Sequence, residues 1–144
     1  MTLTPLDEEH LRRAIDLATY ARSSGEQPYG SVLVDEKGTV LAEDWNTVLS
    51  EKDVTAHPEL KLGRLAGATL TAEQAAHCTL YTSCEPCVMC SEALARAGIG
   101  RVVFALSSRQ LEERQPNPPD RSRPRLDGPA LHAEAAAAIG DYYA

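Results

Sequence analysis

The sequence predicts an α/β fold, a three-layer α/β/α sandwich built on a central mixed sheet. Three observations predict it: an amphipathic helix opened by proline near the N-terminus, a β-hairpin pattern after it, and a strand-helix-strand run between residues 78 and 106. That run is short enough to require a parallel strand pair joined by a right-handed crossover. The 144 residues, 43% of them apolar, suit one domain with one core, so residues 1–144 are expected to fold as a single unit.

The first helix is expected at Thr4-Pro5, where a capping hydroxyl and a proline at the first helical position precede Asp7, Glu8 and Glu9, acids that favour the positive end of the helix dipole. Leu11, Ala14, Ile15 and Ala18 recur at helical spacing and predict one buried face. Ser23-Ser24-Gly25 stops the helix. Ser31–Val34 and Thr39–Ala42 then flank Asp35-Glu36-Lys37-Gly38, a turn joining two antiparallel strands. A short helix follows from Pro58 to about Gly67, a strand from Cys78 to Thr82, a helix from Pro86 to Ala97 ended by Gly98, and a strand from Arg101 to Leu106. Four of the nine prolines fall between Gln115 and Asp127 with Arg121, Arg123 and Arg125, which predicts a loop whose arginines are solvated or lie between subunits. The alanine-rich stretch from Leu131 to Tyr143 predicts a last helix. Loop and helix together form an appendage, about 115–127 and 131–143.

A formal charge of −7 argues against a partner whose binding rests on neutralising many phosphates, so nucleic acid is disfavoured. Without a basic leader or a long apolar run, the chain reads as cytoplasmic, with no membrane partner. All four cysteines crowd between positions 78 and 90, which suits a metal better than a disulfide framework.

Zinc favours nitrogen and thiolate sulfur in tetrahedral sets, and a catalytic site uses three protein ligands so that water can take the fourth place. His57, Cys87 and Cys90 form such a set, and Glu59 puts a carboxylate within the same turn as the histidine. Cys87 and Cys90 are expected in the first turn of the helix opened by Pro86, their sulfurs on one face. Two other classes use the same residues. Cys84-x-x-Cys87-x-x-Cys90 copies part of an iron–sulfur motif, and a structural zinc module would recruit Cys84 or the His77-Cys78 pair as a fourth ligand.

Thr55-Ala56-His57-Pro58-Glu59 followed by Leu80-Tyr81-Thr82-Ser83-Cys84-Glu85-Pro86-Cys87-Val88-Met89-Cys90 resembles the cytidine and deoxycytidylate deaminase superfamily. Pro28-Tyr29-Gly30, Asn46 and Gly98–Val103 extend the likeness, which runs from about Leu11 to Leu106. Thr79–Cys87 is most similar to the guanine deaminase and nucleoside deaminase branch, near the tRNA adenosine deaminases. The resemblance implies zinc-dependent hydrolytic deamination of a nucleobase or nucleoside, guanine type first and pyrimidine second, with Glu59 moving protons. It further implies that Asn46 bonds the base or sugar, that Tyr29 walls the pocket, that backbone groups near Cys84 and Glu85 line the zinc side, and that the protein is a homodimer; Glu134 and the terminal tyrosines read either as plain helix surface or, as in the tails of similar guanine deaminases, as closing over the pocket of this or a neighbouring subunit. At Pro58 the family usually carries alanine, whose backbone N–H reaches the substrate; proline has none, so one substrate contact is expected to be missing. The helix itself accepts Pro58, because the N–H at its first position has no partner in any case.

Overall fold

The computed structural model describes residues 2–144. Helix α1 (Pro5–Ser23) opens on a reciprocal capping box: the Asp7 N–H donates to the Thr4 hydroxyl at 3.1 Å, and the Thr4 N–H donates to the Asp7 carboxylate at 2.9 Å. Its buried stripe is Leu11, Ala14, Leu17, Ala18 and Ala21, with Asp7 and His10 toward its start. Ile15, expected on this face, is 43% exposed. At about 100° per residue it sits about 100° round the helix from the centre of the stripe, so it falls at the edge.

Strands β1 (Gly30–Val34) and β2 (Val40–Trp45) form the expected hairpin, whose turn is held by the Asp35 carboxylate accepting from the Lys37 and Thr39 N–H groups at 2.9 and 2.8 Å. The other side of β1 pairs antiparallel with β3 (Thr79–Cys84), and β3 pairs parallel with β4 (Arg101–Leu106). The sheet order is β2-β1-β3-β4, mixed as expected.

Alternation along the strands builds the layers. Val32, Val34, Tyr81 and Val103 pack with Leu11, Ala14 and Leu17 of α1 on one face. Leu33 and Leu80 pack on the other face with Leu62 and Ala66 of α3 (Pro58–Thr69) and Leu94 of α5 (Val88–Arg96). Gly30 lets α1 and β1 meet backbone to backbone: a Cβ there would stand 2.5 Å from the Ala14 carbonyl oxygen.

Helix α5 begins at Val88 with Cys87 as its N-cap, so Pro86 lies outside it rather than opening it. Cys87 has an extended backbone (φ −66°, ψ 169°), and the helical turn starts only with the residue after it. Strand β3 starts one residue later than expected and continues to Cys84, because Cys84 still pairs with Leu106. Three short helices add to the pattern: α2 (Val48–Glu51), α4 (Ala72–Ala76) and α6 (Ser108–Glu112). The last helix, α7 (His132–Ile139), is shorter than the expected 131–143 and stops at Gly140, which has φ 54°. From Glu113 onward every residue except Gln115 is exposed, so this arm packs little against the body. Among the described residues, no helix is long and apolar enough to cross a membrane.

Candidate metal centre and deaminase site

The C-terminal end of β3, the end of β2 and the start of β1 meet at one end of the sheet, where the N-termini of α3 and α5 also arrive. His57 is the N-cap of α3 and Cys87 that of α5, with Cys90 in the first turn of α5. The two helices pack side by side, which brings histidine and cysteines from segments thirty residues apart into one cluster. His57 Nδ1 lies 3.8 Å from Cys87 Sγ and 3.5 Å from Cys90 Sγ, and the donor atoms of all three residues lie within 4.8 Å of one another.

These separations fit zinc. A tetrahedral centre with Zn–N of about 2.0–2.1 Å and Zn–S of about 2.3 Å holds these donor atoms about 3.5–3.8 Å apart. The donor chemistry fits as well, one imidazole nitrogen and two sulfurs, and the cluster brings together three protein donors. The Cys87 thiol is held far below its ordinary range by the Cys90 thiol and the His57 imidazole, while Cys90 is pushed up by Cys87 and by burial. Both sulfurs would have to be deprotonated to hold a metal. Cys84 and Cys78 stand outside this cluster: Cys78 packs in the core beneath α3 and α5, and His77 Nδ1 is paired with the Glu73 carbonyl at 2.8 Å. The cluster therefore lacks both the third sulfur of the iron–sulfur alternative and the fourth ligand of the structural zinc alternative.

Glu59 lies in the first turn of α3 and is 5% exposed, with Oε2 3.9 Å from Cys90 Sγ. Burial raises its affinity for a proton, opposed chiefly by its own backbone N–H and by the Thr82 hydroxyl. Thr82 donates to Glu59 Oε1 at 3.0 Å and accepts from the Ser31 hydroxyl at 2.9 Å. Both hydroxyls are fully buried on the α3 side of the sheet. Sequence reasoning missed this relay, although two polar residues at buried alternating positions of apolar strands were a usable signal.

Asn46 is fully buried at the end of β2. Its Oδ1 accepts from the Val48 N–H at 3.0 Å, its Nδ2 donates to Gln27 Oε1 at 3.3 Å, and its backbone N–H donates to the Tyr29 carbonyl at 3.0 Å. Tyr29 is half-buried, its hydroxyl pushed up by burial and by the nearby charges of Cys84 and Glu59. Pro58 occupies the first position of α3 and is buried. Cys84 is buried at the end of β3, raised by burial and by the Glu59 charge. The Glu85 N–H donates to the Leu106 carbonyl at 2.8 Å, and its carboxylate accepts from the Ser108 N–H at 2.7 Å. These two bonds tie Glu85 to the end of β4 and the start of α6. Glu134 sits on α7, exposed, and is not brought to the cluster within one chain.

Residues 4–106 match the model of the cytidine and deoxycytidylate deaminase zinc-binding region. The chain is 41% identical over 114 residues to a probable cytosine deaminase of Schizosaccharomyces pombe, covering 77% of this chain and 68% of that protein. It is 38% identical over 101 residues to the tRNA-specific adenosine deaminase of Haemophilus influenzae, covering 70% of this chain and 58% of the relative. The guanine deaminase of Bacillus subtilis is 41% identical over 99 residues, 68% of this chain and 63% of that protein. Its solved structure superposes with a TM-score of 0.76 at 31% identity, over 95% of this chain and 94% of the other. The sequence alignments thus span 58% to 68% of these relatives' lengths. With the zinc-type donor set assembled and the matched region running through every element that builds it, the chain belongs to the cytidine and deoxycytidylate deaminase family, zinc-dependent aminohydrolases acting on nucleobases or nucleosides.

Proposed function

We propose that this protein deaminates a purine nucleobase of the guanine type, or its nucleoside, with His57, Cys87 and Cys90 as the zinc ligands and Glu59 as the proton carrier. The observation that carries the purine reading is the reach of the guanine deaminase superposition: at 95% of the chain it continues past Leu106 and through most of the exposed arm. A cytosine-type pyrimidine is the second reading, favoured by the identity to the fission-yeast protein. A tRNA substrate is disfavoured by the net charge of −7.

Zinc held by His57, Cys87 and Cys90 would supply a Lewis acid that lowers the pKa of water. Glu59, buried and with raised proton affinity, takes a proton from the attacking water, passes it to a ring nitrogen, and carries a second to the departing amine. The Ser31–Thr82 hydroxyl pair holds one carboxylate oxygen, leaving the other free for that traffic. Asn46 offers its second Nδ2 hydrogen to the base, Tyr29 closes one wall, and Cys84 and the Glu85 carbonyl line the wall beside the metal. Pro58 contributes shape but no hydrogen bond.

The same reading makes the protein a homodimer of single-domain chains. Leu126, Leu131, Tyr142 and Tyr143 are exposed along the arm, and an eight-residue helix is marginal alone in water. Packing on a second copy buries them and brings Glu134 toward a pocket. Ammonia release from guanine, guanosine, adenosine, cytosine and cytidine tests the substrate assignment: turnover of guanine or guanosine above the others is expected, and a preference for cytosine or cytidine replaces it with the second reading. Light scattering in solution tests the dimer, which a monomeric mass refutes.

A further inference from the structure

Lys61 stands on α3 one turn beyond the His57 N-cap, and its backbone N–H donates to the His57 carbonyl at 3.0 Å. Its side chain is 21% exposed and leaves the helix toward the end of β2. The ammonium donates to Asp44 Oδ1 at 2.8 Å, to the Trp45 carbonyl at 2.7 Å and to the Thr47 hydroxyl at 3.0 Å. A lysine ammonium has three hydrogens, so this set uses all of them and leaves no proton, and no lone pair, for chemistry on a substrate. Asp44, Trp45 and Thr47 bracket Asn46.

The same segment is held from its far side. The Glu26 carboxylate accepts from the Leu49 and Ser50 N–H groups at 3.0 Å each, capping α2, and the Thr47 N–H donates to the Ala56 carbonyl at 3.1 Å. The buried Asn46 amide is thus fixed between a strand end, where Trp45 packs on the α1 side of the core and edge-on to Tyr20, and a short helix, α2, that has no buried residue of its own. The charge-assisted bonds from Lys61 are the side-chain link between this wall and the helix that carries His57 and Glu59, beside the backbone bond from Thr47 to Ala56.

We infer that Lys61 is a positioning residue for substrate recognition, a clamp that sets the distance between the Asn46 wall and the metal-bearing helix. The inference rests on Asn46 as a substrate contact, as proposed above. It differs from a general stabilising role in what it controls: loss of the clamp displaces Asn46 while leaving the His57, Cys87, Cys90 and Glu59 cluster assembled by α3 and α5.

The test uses the zinc-loaded full chain with guanine as substrate and 8-azaguanine as a binding probe. Lys61→Met keeps the length and apolar stem but removes the three bonds. It is expected to raise KM for guanine and Kd for 8-azaguanine by at least about tenfold, with kcat and zinc content within about threefold of the parent. Lys61→Arg, which retains donors and charge, is expected to recover part of that loss. Asp7→Asn, which breaks a buried pair at the opposite end of the sheet, serves as the stability control and should lower Tm without moving KM or Kd. In the Asn46→Ala background the Lys61→Met effect on Kd should vanish, because the two act through one contact. Unchanged KM and Kd in Lys61→Met, when Asn46→Ala weakens both, overturns the Lys61 inference alone. An Asn46→Ala variant that binds like the parent overturns the Asn46 contact and the clamp with it. Loss of zinc in Lys61→Met would mean that the residue supports the metal helix instead, and also overturns the inference.

Discussion

Replacing Thr82 with valine removes one hydroxyl from beneath Glu59 while nearly preserving side-chain volume, so no cavity accompanies the change. Thr82 is fully buried, donates to Glu59 Oε1 at 3.0 Å and accepts from Ser31 at 2.9 Å. A hydrogen bond to a charged group contributes about 1.5–3 kcal/mol, more than a neutral one, and no water replaces a lost donor at a site this buried. If that amount holds the carboxylate in its working orientation, its loss lowers kcat by about 10- to 150-fold, since each 1.4 kcal/mol is a factor of ten. The change falls short of removing the acid itself, because Glu59 keeps its place on α3 and its approach to Cys90 at 3.9 Å. Steady-state ammonia release with guanine, with zinc content and Tm measured on the same preparations, checks this. The expected result is a lowered kcat at unchanged zinc. A kcat equal to the parent's with a lowered Tm would refute the reasoning, leaving the hydroxyl relay a packing feature.

Asp7 sits beneath β3 and β4, where the Arg101 guanidinium first, then the Tyr81 hydroxyl and the Thr4 N–H, hold its carboxyl well below the usual range. A depressed folded-state pKa gives stability that is present above the unfolded value of about 3.9 and lost as pH falls toward the folded one. Asp7→Asn is therefore expected to cost about 2 kcal/mol at neutral pH, less than a fully buried pair because the Arg101 side chain is 43% exposed, and to flatten the loss of Tm below pH 4. Parallel acid melting curves for the two proteins would contradict it. Gly30→Ala drives a Cβ to 2.5 Å from the Ala14 carbonyl oxygen and 2.7 Å from the Ala18 nitrogen, both backbone atoms that cannot turn aside. A loss of about 3 kcal/mol or more in urea unfolding is expected, the upper end of overpacking costs, and an unchanged midpoint would show that α1 shifts freely. Pro58→Ala restores one N–H at the first position of α3. It should alter the ranking of substrates in the ammonia panel while Tm moves by only a few degrees, and an unaltered ranking makes the missing donor immaterial.

The His57, Cys87 and Cys90 cluster was legible because its determinants are local. His57 and Glu59 share a turn, Cys87 and Cys90 are three apart, and Pro58 marks the start of α3. The hairpin at Asp35–Gly38 and the span of β4 were readable for the same reason. Residues that act across the sheet were not. Ser31, Thr82 and Lys61 are ordinary in their own segments and acquire meaning only when β1, β3 and α3 come together. Ile15 obeyed the helical spacing yet lies outside the buried stripe, because spacing from one residue does not locate the stripe's centre. The short helices α4 and α6 are below the length at which apolar periodicity registers, though their capping boxes, Thr71 with Gln74 and Ser107 with Gln110, are written in the sequence. The start of α5 was misplaced by one turn's logic: proline favours the first helical position, but here it precedes the N-cap.

The catalytic assignment turns on Glu59 moving protons beside a metal that it does not bind. Ammonia release by Glu59→Gln, measured on protein whose zinc content has been determined, addresses this most directly. About one zinc per chain, as in the parent, with turnover lowered by roughly two to four orders of magnitude is the predicted result. Turnover at the parent's rate, or loss of zinc along with the carboxylate, would contradict it.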